Sequence, residues 1–439
     1  SPPGKVPVRN PARAARAARA KARTAMTAAR AKMARAQAAA RAKAAAVRAA
    51  AQAAAQGYET VLLEKNEKLG KKLFISGKGR CNVTNSCDMA DFFENIAHNS
   101  SFCYSAVYTF PPELTMNLIE EQGAPLKIER GGRVFPVSDK SSDVIKALER
   151  YVRQAGAEIR LNTRLENIFT ADGKITGIQY DGKVRSCDGL ILAMGGASYI
   201  STGSDGAWRD QLVRLGHTVE EFIPALVPLT SSQLWVRQLQ GLSLKNVRLK
   251  AVLGSKIIFD ELGEMLFTHF GLSGPLALSL SSCLEQPDFK KLRLLIDLKP
   301  GLTVEQLNNR LLRDFAKYGS KTLKNAMVEL LPARLIPAVI TAAALEETLA
   351  VSQLSQEKRA RLIKAFKELP IEVDGFRPLN EAIVTRGGIS VKEIDPSTMQ
   401  SKRIAGLFFA GEMIDIDAYT GGFNIQLALS TGFLAGSSC

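Results

Sequence analysis

Fifty-two residues without a glycine separate Gly4 from Gly57, and this gap constrains the fold more than any other feature of the chain. A tight strand-to-helix turn needs positive φ or a close backbone approach, and glycine supplies both. The same stretch has no Pro from Ala12 to Gln56, and residues 1–56 hold 26 Ala, with Val6, Val8, Met26, Met33 and Val47 as the only larger apolar residues. Its helix propensity is high, yet it cannot bury a core of its own. It therefore reads as a solvated helix. Met26, Met33 and Val47 share a seven-residue grid, too few points for a coiled coil.

Charge follows the same division. The formal net charge is +15, but residues 1–56 carry 13 Lys or Arg and no acid, leaving 45 basic against 43 acidic residues in the other 383. Polyanion binding is thus expected only from the N-terminal segment. That segment has no aromatic side chain on which a base could stack, so contact with nucleic acid would be nonspecific and steeply salt-dependent. No run of about 20 apolar residues suggests a membrane span. The six cysteines form no CxxC pair and no His stands at ligand spacing; free thiols, no metal site and a cytoplasmic location are expected.

At 439 residues the chain has room for roughly two to three domains. Glu59-Thr60-Val61-Leu62-Leu63-Glu64-Lys65 reads as a buried strand ending on an acid. From Ala157 to Leu192 three strand-like stretches are separated by Asp172-Gly173 and Asp181-Gly182, a hairpin signal, and lead into Leu190-Ile191-Leu192-Ala193-Met194-Gly195-Gly196. Short strands and turns dominate from Ser198 to Pro300, helical periodicity from Leu302 to Phe366, and a strand-and-glycine texture returns after Arg377. A discontinuous α/β domain with an insertion accounts for this order: 57–197 and 377–439 around an insert of 198–376, with 1–56 as an anomalous leader.

Strands that end on small residues let a ligand approach the backbone, and a following helix offers free N–H groups to phosphate. Three places fit: Ser76-Gly77-Lys78-Gly79-Arg80-Cys81-Asn82, then Ala193-Met194-Gly195-Gly196, and Ala410-Gly411-Glu412 with Gly421-Gly422-Phe423-Asn424-Ile425-Gln426. Together with an acid at a strand end, they indicate a dinucleotide.

On LLEKNEKLGKKLFISGKGRCNVTN (62–85), GGRVFPVSDKSSDV (131–144), LFTHFGLSGP (266–275) and the block from Gly387 to Gly432, the chain resembles the BaiN/YhiN-like FAD-dependent oxidoreductases, also known as an aminoacetone-oxidase-type flavoprotein family. The resemblance covers residues 57–437. It implies a two-dinucleotide-type Rossmann FAD domain interrupted by a β-barrel-like insert and a small helical subdomain. It implies that Glu64 binds the adenosine ribose with Lys65 beside it. Gly77, Arg80, Cys81 and Asn82 would line the flavin and pyrophosphate, Gly195 would pass close to the cofactor, and Gly411, Glu412, Gly421, Gly422, Phe423, Asn424 and Gln426 would hold the pyrophosphate, ribityl chain and isoalloxazine edge. His269 and Cys81 are the candidate proton donors, and Arg133, Asp139 and Lys140 would shape a loop near the cofactor.

One departure stands out. Such families open with a strand, a GxGxxG-type turn and a helix, the last glycine about 20 residues before the acid. Here residues 38–47 read Ala-Ala-Ala-Arg-Ala-Lys-Ala-Ala-Ala-Val, and no GxGxxG occurs in the chain. The helix is expected to survive only as Ala49 to Gln56.

The resemblance implies hydride transfer through bound FAD, with NAD(P)H as the candidate electron donor, to or from a small organic substrate: one family label points to an alicyclic enone or similar oxidised compound, the other to amine oxidation, and neither fixes the substrate. The competing reading is a polyanion-binding protein driven by residues 1–56 on a non-catalytic flavoprotein-like scaffold. A flavin-storing protein without turnover is a third.

Overall fold

The computed structural model describes residues 41–74, 79–284, 287–319 and 321–439; expectations for residues 1–40 and for Gly77 lie outside them. In chain order, helix α1 (Arg41–Ala55) leads to strand β1 (Val61–Leu63), helix α2 (Ser141–Gln154) and strand β2 (Glu158–Arg160), which pairs parallel with β1. The meander β3 (Leu165–Ala171), β4 (Lys174–Tyr180) and β5 (Lys183–Ser186) follows. Its turns have the double positive φ of a tight hairpin: Asp172 51° and Gly173 70°, Asp181 51° and Gly182 69°. Strand β6 (Leu190–Leu192) closes this half.

Strand β7 (Val219–Ala225) carries the chain out into the insert, which contains β8 (Ser243–Leu253), β9 (Lys256–Phe267), β10 (Gly271–Ser273), helix α3 (Pro275–Ser282) and β11 (Leu292–Asp297). The return strand β12 (Val384–Ile389) pairs antiparallel with β7. Strand β13 (Leu407–Phe409) then pairs parallel with β6, and β14 (Asp417–Ala418) precedes the last helix, α4 (Phe423–Ser438).

Two large apolar cores result. One joins residues on either side of the insert, and the other lies within it between Leu229 and Val373. The insert sheet is antiparallel and seven-stranded, in the order 369–371, β11, β8, β9, β10, 229–230, 375–376. The expected β-barrel is corrected here, because the two edge strands do not pair with each other. Pro370 brings no N–H to one edge. The residues linking the edges bond elsewhere: Glu372 N–H donates to Gln233 Oε1 and Asp374 N–H to the carbonyl of Thr230. The expected helical stretch is present as Val304–Ala316, Ile336–Ala342 and Gln356–Lys367. The first opens on a capping box, with Gln306 N–H donating to Thr303 Oγ1 at 3.1 Å and Thr303 N–H to Gln306 Oε1 at 2.9 Å.

Over residues 41–55, helix α1 overturns the reading of a solvated helix. It starts at Arg41, eight residues before the expected remnant, and Ala44, Ala45 and Ala51 are fully buried within the first core. Its partner is α4. A Cβ added at Gly432 would stand 2.4 Å from the Ala45 carbonyl oxygen, and one added at Gly436 2.4 Å from that of Ala49. Alanine on one helix and glycine on the other therefore bring the two backbones into contact, so the small side chains that looked unable to make a core contribute to a shared one. Residues 41–55 thus pack with the unit expected to begin at Gly57.

The helix also buries a charge. Arg48 is 5% exposed, with its guanidinium 4.5 Å from the ring centre of Phe110 and 4.3 Å from that of Phe433, and it donates to Gln52 Oε1 and the Tyr151 hydroxyl. Burial pulls its pKa down to about 10.

Candidate functional site

Between the two parallel strand pairs lies a cleft of about 1220 Å³ lined by β1, β6 and the alanines Ala46, Ala49, Ala50 and Ala53 of α1. Glu64 follows β1 at its rim, 8% exposed, and its Oε1 accepts from the backbone and side-chain N–H groups of Asn66 at 2.8 and 2.7 Å. An acid held just past a parallel strand suits ribose hydroxyls. Lys65 reaches across to Asp205 at 2.8 Å, and both line the same cleft.

At the other end, α4 begins after Gly421 (φ 136°) and Gly422 (φ 102°), and no side chain caps it. A Cβ at Gly422 would lie 2.3 Å from the Thr84 carbonyl oxygen, so glycine is required there. Nearby in sequence, Asn82 has a buried Oδ1 with no partner among the described residues. Cys81 is fully buried with φ 60°. Gly195 has φ 81° and its carbonyl accepts from the Trp208 indole N–H at 2.8 Å; Gly411 N–H donates to Thr431 Oγ1 at 3.0 Å; and Glu412, 1% exposed, accepts from Thr385 N–H at 3.2 Å.

Several expected cofactor ligands also bond within the protein. Arg80 Nε donates to Asp139 Oδ1 at 2.7 Å, its Nη2 pairs with Glu129, and its guanidinium stacks 4.1 Å from the centre of Phe135. Asn424 holds the preceding loop by accepting from Ala418 N–H at 2.8 Å and donating to the Ala418 carbonyl at 2.6 Å. Gln426 is fully buried, accepting from Thr84 and donating to the Phe110 carbonyl and Ser430. Phe423 packs edge-on against Phe92 at 5.2 Å. Arg133 donates to the Arg130 carbonyl, Asp139 is shared by Arg80 and Lys127, and Lys140 is exposed at the start of α2. His269 is exposed in the β9–β10 turn of the insert, whereas Cys81 belongs to the first core.

Sequence reasoning missed a buried polar cluster where the insert meets the first core. Arg386 Nε and Nη2 donate to the two carboxylate oxygens of Asp417 at 2.8 and 3.1 Å, and Nη2 also donates to the Ser282 carbonyl at the end of α3. Asp415 accepts from Gly387 N–H at 3.0 Å and contacts His98 Nε2 at 3.1 Å. That bond raises the His98 pKa above its ordinary value, against the opposing effect of burial. Tyr419 meets Cys283 Sγ at 3.3 Å, and burial pushes the tyrosine pKa up, so the phenol keeps its proton. The alternating acids of Ile414-Asp415-Ile416-Asp417 were the available signal, but their partners lie far away in sequence.

Parallel strand pairs, an acid after the first of them and a glycine-led helix N-terminus mark a Rossmann-type nucleotide-binding fold. The chain belongs to the HI0933-like Rossmann family, whose domain profile matches residues 41–438; these are FAD-dependent enzymes. The 3-dehydro-bile acid delta(4,6)-reductase of Clostridium scindens is 29% identical over 381 residues, covering 86% of this chain and 92% of that protein. The ribosomal RNA dihydrouridine synthase of Escherichia coli is 26% identical over 377 residues, covering 86% and 91%. The solved 3-ketosteroid-delta4-(5alpha)-dehydrogenase of Rhodococcus jostii superposes with a TM-score of 0.48 at 15% identity, covering 90% of this chain and 94% of that one. Among the described residues no helix is long and apolar enough to cross a membrane.

Proposed function

We propose that this protein uses FAD, with NAD(P)H as electron donor, to reduce a ring carbon–carbon double bond conjugated to a carbonyl in a small organic substrate. The observation that carries the reading is the family match over residues 41–438. The names of two relatives fit reduction of a ring double bond, a 3-dehydro-bile acid delta(4,6)-reductase and a ribosomal RNA dihydrouridine synthase, and the small substrate proposed here follows the first.

FAD, when bound, supplies the hydride transfer. Two parts of the chain suit such a cofactor. Glu64 can accept ribose hydroxyls, and the unpartnered Asn82 Oδ1 with the uncapped N-terminus of α4 offers an acceptor and free N–H groups. One part does not suit it. No glycine lies between Gly4 and Gly57, so the sequence ahead of α1 offers no glycine turn of the kind that brings backbone close to a pyrophosphate.

A hydride added to one alkene carbon leaves its neighbour in need of a proton. His98 and Tyr419, proton-bearing groups at the seam between insert and first core, are the candidates beside His269. Titrating the purified chain with FAD tests the reading: flavin fluorescence should saturate, NAD(P)H should bleach the flavin anaerobically, and a cyclic enone should restore its absorbance. A colourless protein that instead retards DNA at low salt would favour the polyanion-binding alternative.

A further inference from the structure

Just ahead of β7, His217 is 3% exposed, and its Nε2 lies 2.8 Å from the Oγ of Ser401, itself 5% exposed. The direction of this bond follows from the serine's other partners. Ser401 Oγ already accepts from the backbone N–H groups of Arg403 and Ile404, each at 3.0 Å. A hydroxyl oxygen has two lone pairs and one proton, so with both lone pairs taken the Ser401 O–H donates to Nε2. The imidazole is therefore neutral, and its own proton sits on Nδ1, which has no partner among the described residues. The charged groups that act on the ring are Glu393 and Arg403. They bond each other at 2.6 Å, and Glu393 also accepts from Thr218 N–H at 2.8 Å and Thr218 Oγ1 at 2.9 Å, so the carboxylate is not free to hold a second proton on the ring. The other neighbours do not titrate: β13 brings the Phe409 ring, edge-on at 5.2 Å, and the helix Arg209–Arg214 the Leu212 carbonyl, which accepts from His217 N–H. Burial accordingly holds the His217 pKa below its ordinary value.

The turn that Ser401 organises is a junction. Ser401 N–H donates to the Leu407 carbonyl at 2.7 Å and Phe409 N–H to that of Met399 at 3.0 Å, which fixes the turn to β13. Ala405 N–H donates to the Gly173 carbonyl at 2.8 Å and Ile175 N–H to that of Ala405 at 3.0 Å, which fastens its far end to the β3–β4 hairpin. We infer that His217 and Ser401 form an acid-operated latch: neutral His217 holds the 401–404 turn closed, and protonation at Nε2 opens it and loosens its grip on β13 and the hairpin. The added proton places an N–H where the hydroxyl proton was directed. Ser401 Oγ then faces three donors with two lone pairs, so either Arg403 or Ile404 gives up its bond or the imidazolium is left buried without a partner. Because the histidine is depressed in the closed form, the latch is fully stable above the ordinary histidine pKa and weakens as pH falls from that value toward the folded one. Each pH unit over that interval favours the open turn by up to about tenfold. The latch needs no cofactor and stands apart from the proposed function.

The test is amide hydrogen exchange of the full chain at about pH 8 and about pH 5, on either side of the ordinary histidine pKa, with rates corrected for the intrinsic pH dependence of exchange. The inference predicts that protection of the Arg403 and Ile404 amides falls about tenfold at the lower pH, while Leu249, fully buried in β8 of the insert, keeps its own. His217→Gln, whose Oε1 can accept from Ser401 Oγ without titrating, should flatten the response, and Ser401→Ala should leave both amides fast at either pH. Equal protection at the two pH values in the unsubstituted chain, or an acid loss shared by Leu249, overturns the latch. Nitrogen-15 spectra of the imidazole test the same point without a variant. At about pH 7 the latch requires a proton on Nδ1 and none on Nε2, and the opposite tautomer or a cationic ring contradicts it.

Discussion

The insert core is built on β8 and β9, strands of 11 and 12 residues paired along most of their length, whereas in the first core neither parallel pair exceeds three residues. Hairpin pairing is local, so the insert can assemble its sheet from neighbouring sequence. The first core depends on segments far apart: α1 and α4 touch across more than 370 positions, and the seam joins Arg386 to Asp417 and Ser282. Its order comes from helix contact and a buried ion network more than from strand ladders. The first core should therefore be the more fragile to single substitutions at these joints.

The largest effect is expected at the seam. Asp417→Ala takes the bidentate Asp417 carboxylate from the Arg386 guanidinium, whose side chain is 6% exposed, and should cost about 3 kcal/mol. Chemical denaturation followed separately by the two native tryptophans would read it, since Trp208 sits in the first core and Trp235 packs against the second. Next is the helix contact: Gly432→Ala drives a Cβ against the Ala45 carbonyl and should cost about 1–3 kcal/mol. Gly301→Ala, where an added Cβ meets nothing within 4 Å, should stay within about 0.5 kcal/mol. Equal losses at Gly432 and Gly301 would remove the argument for close helix packing.

Glu64→Gln is expected to weaken FAD binding about tenfold, the size of one charge-assisted hydrogen bond, with the melting temperature nearly unchanged; a fluorescence titration decides it. The smallest effect concerns pH. The bond to Asp415 raises the His98 pKa in the folded state, so its contribution to stability is complete below the unfolded-state pKa and disappears as pH rises through the folded one. His98→Gln should therefore destabilise more at about pH 5 than at about pH 9. A loss that grows with pH would contradict the assigned His98–Asp415 pairing.

How far the sequence carried these conclusions depended on whether a signal was local. The Asp172-Gly173 and Asp181-Gly182 turns, the acid after β1 and the helical stretch beyond Leu302 were legible because turn chemistry and periodicity act over a few residues. Whether the insert closed into a barrel was not, since closure depends on the unpaired edges at 369–371 and 375–376. The role of α1 was hidden for the opposite reason: its alanines carry almost no pattern until the glycines of α4 are set against them. Arg80, Asn424 and Gln426 bear the expected side chains, yet Glu129 with Asp139, the Ala418 loop and Thr84 with Phe110 already occupy them. A motif gives residue identity, not these partners within the protein.

The central claim, a first core in which β1 and β6 beneath α1 each pair on one side only among the described residues, is tested most directly by residue-resolved amide exchange of the unliganded chain across β1 and β6. The account predicts alternation: slow exchange at Leu62 and Leu192, whose backbones face β2 and β13, and fast exchange at Val61, Leu63 and Ile191, whose backbones face the cleft. Uniformly slow exchange over both strands would contradict it.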